Sequence, residues 1–329
     1  MKIVLIGEKG SGKTTLWSAF TGERAGYKVE CREGTVILQD ARLTEIAKFF
    51  NTNKLTFPHL ALIDIPGFDP KALNLALVGD AVIFVIPFFG EFKNPIELAK
   101  KLDDELFLHD ISSCETRIKN LKKSGDEFEL HTVEKCLRHL NKKTPLRKIG
   151  FTKEERKLLH GFGFLTYKPA IAVLNYDEKK DYKKVLLDLR KFYNPHAIEV
   201  YPFPAKLFSE LNELPENERE EYLRAYEIEP FIKDKVLRAI ISASGFLLFY
   251  TVVRGEARSW LLRAGSHVID AAGTIHTDMA RGFIRAEIIN YKDLKDAKDL
   301  QELHKKGAVK TVGKDYPVND GDIIEVKFH

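Results

Sequence analysis

The chain opens with an apolar run from Lys2 to Ile6 (KIVLI) that stops at GEKGSGKTT and resumes with helical spacing in LWSAFTG. Strand, glycine loop and helix follow in that order, which is how a β-α nucleotide-binding unit begins. Further apolar runs recur at LALIDIPG (60–67), AVIFVIPFF (81–89) and PAIAVLNY (169–176). Separated by stretches of helical period, they predict an α/β fold with a mostly parallel sheet covered on both faces. Residues 91–162 differ in texture: leucines and isoleucines sit three or four apart among dense charges, as in IELAKKLDDELFLHDISSCETRIKNLKK. Helices with one apolar stripe are predicted there, in an antiparallel hairpin broken at KSGDEF. VLLDLRKFY and the stretch from Glu210 to Ile241 predict further helices, the latter interrupted near Pro230. From Gly245, glycine turns separate the short β-prone pieces FLLFYTVV, EARSWLLR, FIRAEIINY and DIIEVKFH. The expected organisation is a nucleotide-binding domain over 1–90 and 163–245, an inserted helical hairpin over 91–162, and a small mixed β domain over 246–329.

The length of 329 residues leaves room for a core and additional modules. With 44% hydrophobic and 30% charged residues, the chain is not collagen-like, disordered or membrane-spanning. The apolar run at 81–89 contains Pro87 and is too short for a bilayer. A net charge of +4 permits RNA or ribosome contact without requiring it, because phosphate affinity needs clustered charge. Cys31, Cys114 and Cys136 close no disulfide framework and contain no CxxC zinc pair. A reduced, cytoplasmic setting is expected. MKIVLIG enters a strand at once, so no secretory signal is expected either.

Gly7-Glu8-Lys9-Gly10-Ser11-Gly12-Lys13-Thr14 satisfies GxxxxGK[ST] at a strand-to-helix junction. Glycines let the backbone turn tightly, so that N–H groups from Lys9, Gly10, Ser11, Gly12, Lys13, Thr14 and Thr15 converge on the phosphates. Lys13 is expected to reach the β/γ oxygens, and the Thr14 hydroxyl to ligate Mg²⁺. Asp64-Ile65-Pro66-Gly67 ends the second apolar run. Asp64 is expected in the Mg²⁺ shell and the Gly67 N–H at the γ-phosphate, although Asp-x-Pro-Gly is also a turn signal. Lys13, Asp64 and Gly67 are thus the candidate catalytic set, with Thr14 and Asp64 as metal ligands.

Asn175-Tyr176-Asp177-Glu178 follows another strand and is a candidate base-recognition loop. Guanine-specific GTPases carry Asn-Lys-x-Asp there. Glu178 extends the carboxylate by about 1.5 Å, enough to spoil a bidentate fit to guanine. ATP is therefore expected to bind at least as well as GTP. An acidic turn before the next helix is the competing reading.

Together these motifs make the chain resemble the YchF/Obg-like branch of the translation-factor-related P-loop GTPases. GTVILQDARLTEIAKFF is similar to the segment that follows switch I, and FGFLTYKPAIAVLNYDE to the segment with the Asn-x-x-Glu base motif. YPFPAKLFSEL resembles the Ser-Ala-Lys-Leu loop with Pro204 in place of serine, which implies that Ala205 and Lys206 lie beside the base. GEARSWLLRAGSHVIDAAGTIHTDMARGFIRAEIINYKDL and GKDYPVNDGDIIEVKFH resemble the family's TGS domain. The resemblance implies a ubiquitin-like mixed β fold there, a role near the ribosome, and a relaxed preference toward ATP carried by Asn175 and Glu178. Two departures bear on catalysis. Counted back from Gly34, the family's switch I threonine falls on Lys28, which cannot ligate Mg²⁺ in the same way. Phe68 stands where Ras-like enzymes place a catalytic glutamine, and an aromatic ring cannot polarise water, so isolated turnover is expected to be slow.

In the C-terminal domain, Arg254, Arg258, Arg263, Arg281, Arg285, Lys292 and Lys295 form an RNA surface only if they cluster on one face. Trp260 and Phe283 read as core anchors and His276 as a turn residue. The preferred function is a slow ATP- or GTP-hydrolysing switch, monomeric, with ribosome or RNA contacts through the TGS and helical domains and none with membrane. A nucleotide-sensing scaffold without turnover and an RNA- or ribosome-binding module with nucleotide secondary remain open.

Overall fold

A computed structural model describes residues 1–24, 31–177, 180–226, 228, 229 and 231–329, apart from the side chains of 124, 216, 217 and 220. The chain forms two compact units, Met1–Val36 with Leu60–Ile240, and Ile37–His59 with Ile241–His329.

Numbered along the chain, the first unit carries β1 (Lys2–Ile6), β2 (Arg32–Ile37), β4 (His59–Asp64), β5 (Ala81–Phe88), β6 (Ala170–Tyr176) and β7 (Glu199–Phe203). They lie in the order β2-β4-β1-β5-β6-β7. From β4 to β7 every neighbouring pair is parallel. Strands of such a sheet are covered on both faces and therefore read as unbroken apolar runs. Ile3 to Ile6 and Ala81 to Ile86 are almost wholly excluded from solvent. On one face Val4, Ile6, Val82, Phe84 and Ile86 join Ile63, Ala172, Leu174 and Tyr193 in one core. Parallel order also puts the carboxyl ends of β1, β4, β6 and β7 along one edge, where open α/β sheets bind ligands.

The first unit also holds α1 (Lys13–Thr21), α3 (Pro70–Ala76), α4 (Pro95–Ser124), α5 (Glu127–Leu140), α6 (Lys153–Phe162), α7 (Lys183–Tyr193) and α8 (Ala205–Leu211). Pro95 sits in the first turn of α4, the Asn94 side chain accepts from Glu97 N, and Gly125 ends the helix with φ 81°. Left-handed backbone of that kind suits glycine at a helix end. Asp126 then caps α5 by accepting from Glu129 N. Phe107, Cys114 and Leu121, each seven apart, meet Val133, Cys136 and Leu140 of α5 in a second core. The apolar stripe of the charged segment is thus what holds the helices together.

The second unit combines α2 (Ala41–Phe49) and β3 (Lys54–Thr56) with β8 (Phe246–Val253), β9 (Glu256–Arg263), β10 (Phe283–Asn290), β11 (Lys310–Val312) and β12 (Asp322–Phe328). Its sheet runs β11-β10-β12-β8-β9-β3 and mixes parallel with antiparallel pairs. Phe249, Leu262, Val268, Ala286 and Ile324 form its core, against which Trp260 and Phe283 pack. His276 accepts from Asp278 N in a turn.

The expected assignment of all of 1–90 to the nucleotide-binding domain is therefore corrected, since Ile37–His59 folds with the C-terminal residues. β3 pairs with β9 in parallel. Asp40 accepts from the Tyr250 hydroxyl at 2.5 Å and pairs with Arg42, which also reaches Asp320 at 2.6 Å. Tyr291 donates to Glu45 at 2.5 Å and Thr52 to Gly255 O at 2.7 Å. Burial and the Asp40 carboxylate push the Tyr250 phenol far above its ordinary range. Removing a buried polar partner is costly, so these contacts bind the segment firmly into the unit.

Among the described residues, no helix is long and apolar enough to cross a membrane.

Candidate functional site

The turn between β1 and α1 is shaped by glycine. Gly10 and Gly12 adopt φ 82° and 84°, conformations that side-chain-bearing residues rarely take. A Cβ at Gly7 would lie 2.6 Å from Val85 O, and one at Gly12 would lie 2.2 Å from Asn175 Nδ2. Close packing against β5 and β6 therefore leaves no room for side chains at these two positions.

Lys13 is buried in the first turn of α1, and its Nζ donates to Gly7 O at 2.6 Å and Glu8 O at 2.9 Å. Burial pulls its pKa below the ordinary lysine value, opposed by Asp64 and Glu8. An ammonium held against carbonyls in this way is positioned to neutralise an anion entering the loop. Glu8, an anion in a loop built for anions, is paired with Lys101 of α4.

Thr14 donates its hydroxyl to Asp64 Oδ2 at 2.6 Å, joining the end of β4 to the loop. Burial raises the Asp64 carboxyl, while the Thr14 bond and the charges of Lys13 and Arg32 pull it back down. These two hard oxygen donors fit an ion that draws the rest of its shell from phosphate and water, as Mg²⁺ does. Among the described residues no group of three His, Cys, Asp or Glu could hold a metal by itself.

A cavity of about 660 Å³ opens beside this pair, lined by Lys9, Gly10, Lys13, Thr14, Arg32, Asp64, Gly67 and Lys71, among others. Gly67 turns with φ 69° at its rim. Phe68 is turned toward the core of the sheet and packs against it. An adjoining open cleft runs past Thr14, Thr15 and Ser18 to Asn212 and Glu213.

Asn175, next to last in β6, has only 4% of its surface exposed. Its Nδ2 donates to Ser11 O at 3.0 Å and its Oδ1 accepts from Ala205 N at 3.1 Å. The two partners fix the orientation of the amide, since a flipped one would oppose donor to donor. Asn175 therefore ties the phosphate loop to the start of α8. Tyr176 is buried and packs at 4.1 Å on Tyr182. Lys9 and Lys206 are exposed, Ser11 and Ala205 are buried, and Thr15 is half-buried. Glu178, expected at the base, and Lys28, matched to the switch I threonine, lie outside the described residues.

Lys13, Thr14, Asp64 and Gly67 thus come together at one cavity, while Asn175 and Ala205 meet behind the loop. Arg32, Lys71 and Lys101 were missed by sequence reasoning. Their only signal was a cation near a motif, which a chain this rich in charge repeats everywhere.

Residues 246–329 match the family described as YchF-GTPase_C, protein of unknown function (DUF933). The chain is 31% identical to the ribosome-binding ATPase YchF of Haemophilus ducreyi, spanning 100% of this chain and 99% of that protein. It is 28% identical to the protein of the same name from Bacillus subtilis, over 99% and 98% of the two. In fold it is similar to the YchF GTPase of Schizosaccharomyces pombe, with a TM-score of 0.81, 23% identity, and 99% and 97% of the two chains covered. A relative 31% identical and aligned end to end, together with a phosphate loop at the carboxyl edge of a mostly parallel sheet, makes this chain a member of the YchF family.

Proposed function

We propose that the chain binds a nucleoside triphosphate with Mg²⁺ and hydrolyses it slowly as a ribosome-associated switch. The observation that carries this reading is the meeting of buried Lys13 and Asp64 with half-buried Thr14 at one cavity, the Thr14 hydroxyl 2.6 Å from Asp64 Oδ2. Backbone N–H groups of residues 9–15 would cradle the phosphates, Lys13 would neutralise them, and the Gly67 N–H would meet the γ-phosphate. Thr14 and Asp64 would hold Mg²⁺, which when bound supplies charge for the developing phosphate. Phe68 packs inward, which supports slow turnover, because no side chain there can orient water. Glu178, Ala205 and Lys206 would form the base end in this reading, with Asn175, the other residue expected there, holding the phosphate loop to Ala205 behind it, and with ATP bound at least as well as GTP.

The names of the bacterial relatives support ribosome contact. The mixed sheet of the second unit supports a ubiquitin-like TGS fold, and we assign the ribosome or RNA contact to it and to the helical hairpin. A cytoplasmic monomer completes the reading, with three free cysteines in keeping with a reduced setting.

Calorimetric titration of ATP and GTP with Mg²⁺, followed by phosphate release, tests the proposal, with Lys13→Ala as control. Binding and release that both vanish in the control support it. No uptake of either nucleotide by the intact chain overturns it, and GTP winning by more than about tenfold overturns the base assignment.

A further inference from the structure

Arg32 opens β2, the strand beside β4, whose last residue is Asp64. It lines the phosphate cavity with Lys13, Thr14, Asp64 and Gly67. Lys9 and Lys71, the other cations of this lining, are exposed on a loop and a short helix, whereas Arg32 is half-buried on a strand. Partial burial and a strand backbone restrict where its guanidinium can go.

Beside Lys13 and the ion that Thr14 and Asp64 would hold, the cavity has room at this point for a further fixed positive charge. Lys13 is one ammonium, held at the base of the loop by two carbonyls. A terminal phosphate spreads its charge over three oxygens, and cleavage of the β–γ bond increases the charge on the bridging oxygen. Phe68 supplies no polar group at this place. A guanidinium presents a planar fork of N–H donors that matches two phosphate oxygens at once and never loses its proton near neutrality.

We propose that Arg32 is a catalytic residue of this chain that clamps the terminal phosphate of the bound triphosphate and distinguishes it from a diphosphate. The inference rests on the nucleotide reading above and names the residue that reads the γ-phosphate. In the reaction the oxygen of water bonds to the γ-phosphorus, and the bond from phosphorus to the β–γ bridging oxygen breaks. The electron pair leaves on the diphosphate. One proton of the water stays on inorganic phosphate and the other passes to solvent. Arg32 donates N–H bonds throughout and is neither acid nor base.

The test compares the wild-type chain with Arg32→Ala and Arg32→Lys, titrated with Mg²⁺ and either ADP or the non-hydrolysable β,γ-imido analogue of ATP. Phosphate release from ATP is measured alongside. Arg32→Ala is expected to weaken the triphosphate analogue by about tenfold or more while leaving ADP within about twofold, and to lower turnover by about a thousandfold. Arg32→Lys keeps the charge and loses the fork, so it recovers part of the affinity and little of the turnover. Should Arg32→Ala not fold, the ratio of triphosphate to ADP affinity in Arg32→Lys decides in the same way. An equal loss for both nucleotides, or turnover within about threefold of wild type, overturns the assignment. A wild-type chain that binds neither nucleotide defeats the nucleotide reading itself. One that binds both, with an unchanged ratio in the variants, defeats only the role of Arg32.

Discussion

Replacing Gly12 by alanine tests whether Asn175 and the phosphate loop are locked together. At φ 84° an alanine meets left-handed backbone strain of about 1–2 kcal/mol. Its Cβ would lie 2.2 Å from Asn175 Nδ2, so the amide must move. Moving it breaks the bonds to Ser11 O and Ala205 N, and each buried group left without a partner costs about 1–3 kcal/mol. Gly12→Ala is therefore expected to destabilise the first unit by about 3–8 kcal/mol, and Asn175→Ala by about 2–6 kcal/mol. With Asn175 truncated the clash disappears, and alanine at position 12 adds only its backbone strain. The double variant should thus be about 2–6 kcal/mol less damaged than the sum of the single ones. Urea unfolding followed by the fluorescence of buried Trp17, in a Trp260→Phe background, reads this unit alone. Additivity within about 0.5 kcal/mol would falsify the steric lock.

Removing Lys101 by Lys101→Ala leaves the Glu8 carboxylate uncompensated beside the phosphate loop. Calorimetry should show nucleotide affinity lowered about threefold to tenfold, with the defect shrinking as salt is raised. Asp64 gives a pH signature. Because burial raises its folded pKa, its contribution to folding stability is full below the ordinary carboxylate value near ~3.9 and is lost as pH rises through the raised value. Mg²⁺-dependent binding runs the opposite way, weakening as pH falls through that value, and Asp64→Asn should abolish this dependence in a titration series. A fragment of residues 246–329 lacks Asp40, Arg42 and β3, which leaves the buried Tyr250 hydroxyl without its acceptor. It should give no cooperative thermal transition by circular dichroism, whereas a single chain joining 37–59 to 241–329 should give one.

The phosphate loop was legible because local rules dictate it: an apolar run, glycines at positive φ, and a lysine opening a helix. The parallel sheet followed from the unbroken burial of Ala81 to Ile86 and Ala170 to Leu174. The helix break at Gly125 was legible from KSGDEF. The place of residues 37–59 was not, because β3 is three residues long and its partner in β9 lies some two hundred residues along the chain. No local pattern records a pairing at that range. Asn175 was found, yet its inward role was hidden, since an asparagine at a strand end looks the same whether it faces a ligand or a neighbouring loop. Arg32 was hidden for a related reason, because the cavity wall it joins exists only once β2 lies beside β4.

The chain passes from one unit to the other after residues 36, 59 and 240, and this sets an order of events during synthesis. Lys54 and Glu256, an ion pair in the finished protein, are 202 residues apart. At about 5–20 residues per second, the stretch from Ile37 to His59 waits about 10–40 s for the strands that will enclose it. Leu43 and Ile46, fully shielded at the end, face water or a chaperone for that whole interval. The nascent polypeptide must carry an open apolar loop from its earliest third until its last, so slowing elongation lengthens its exposure to aggregation and proteases.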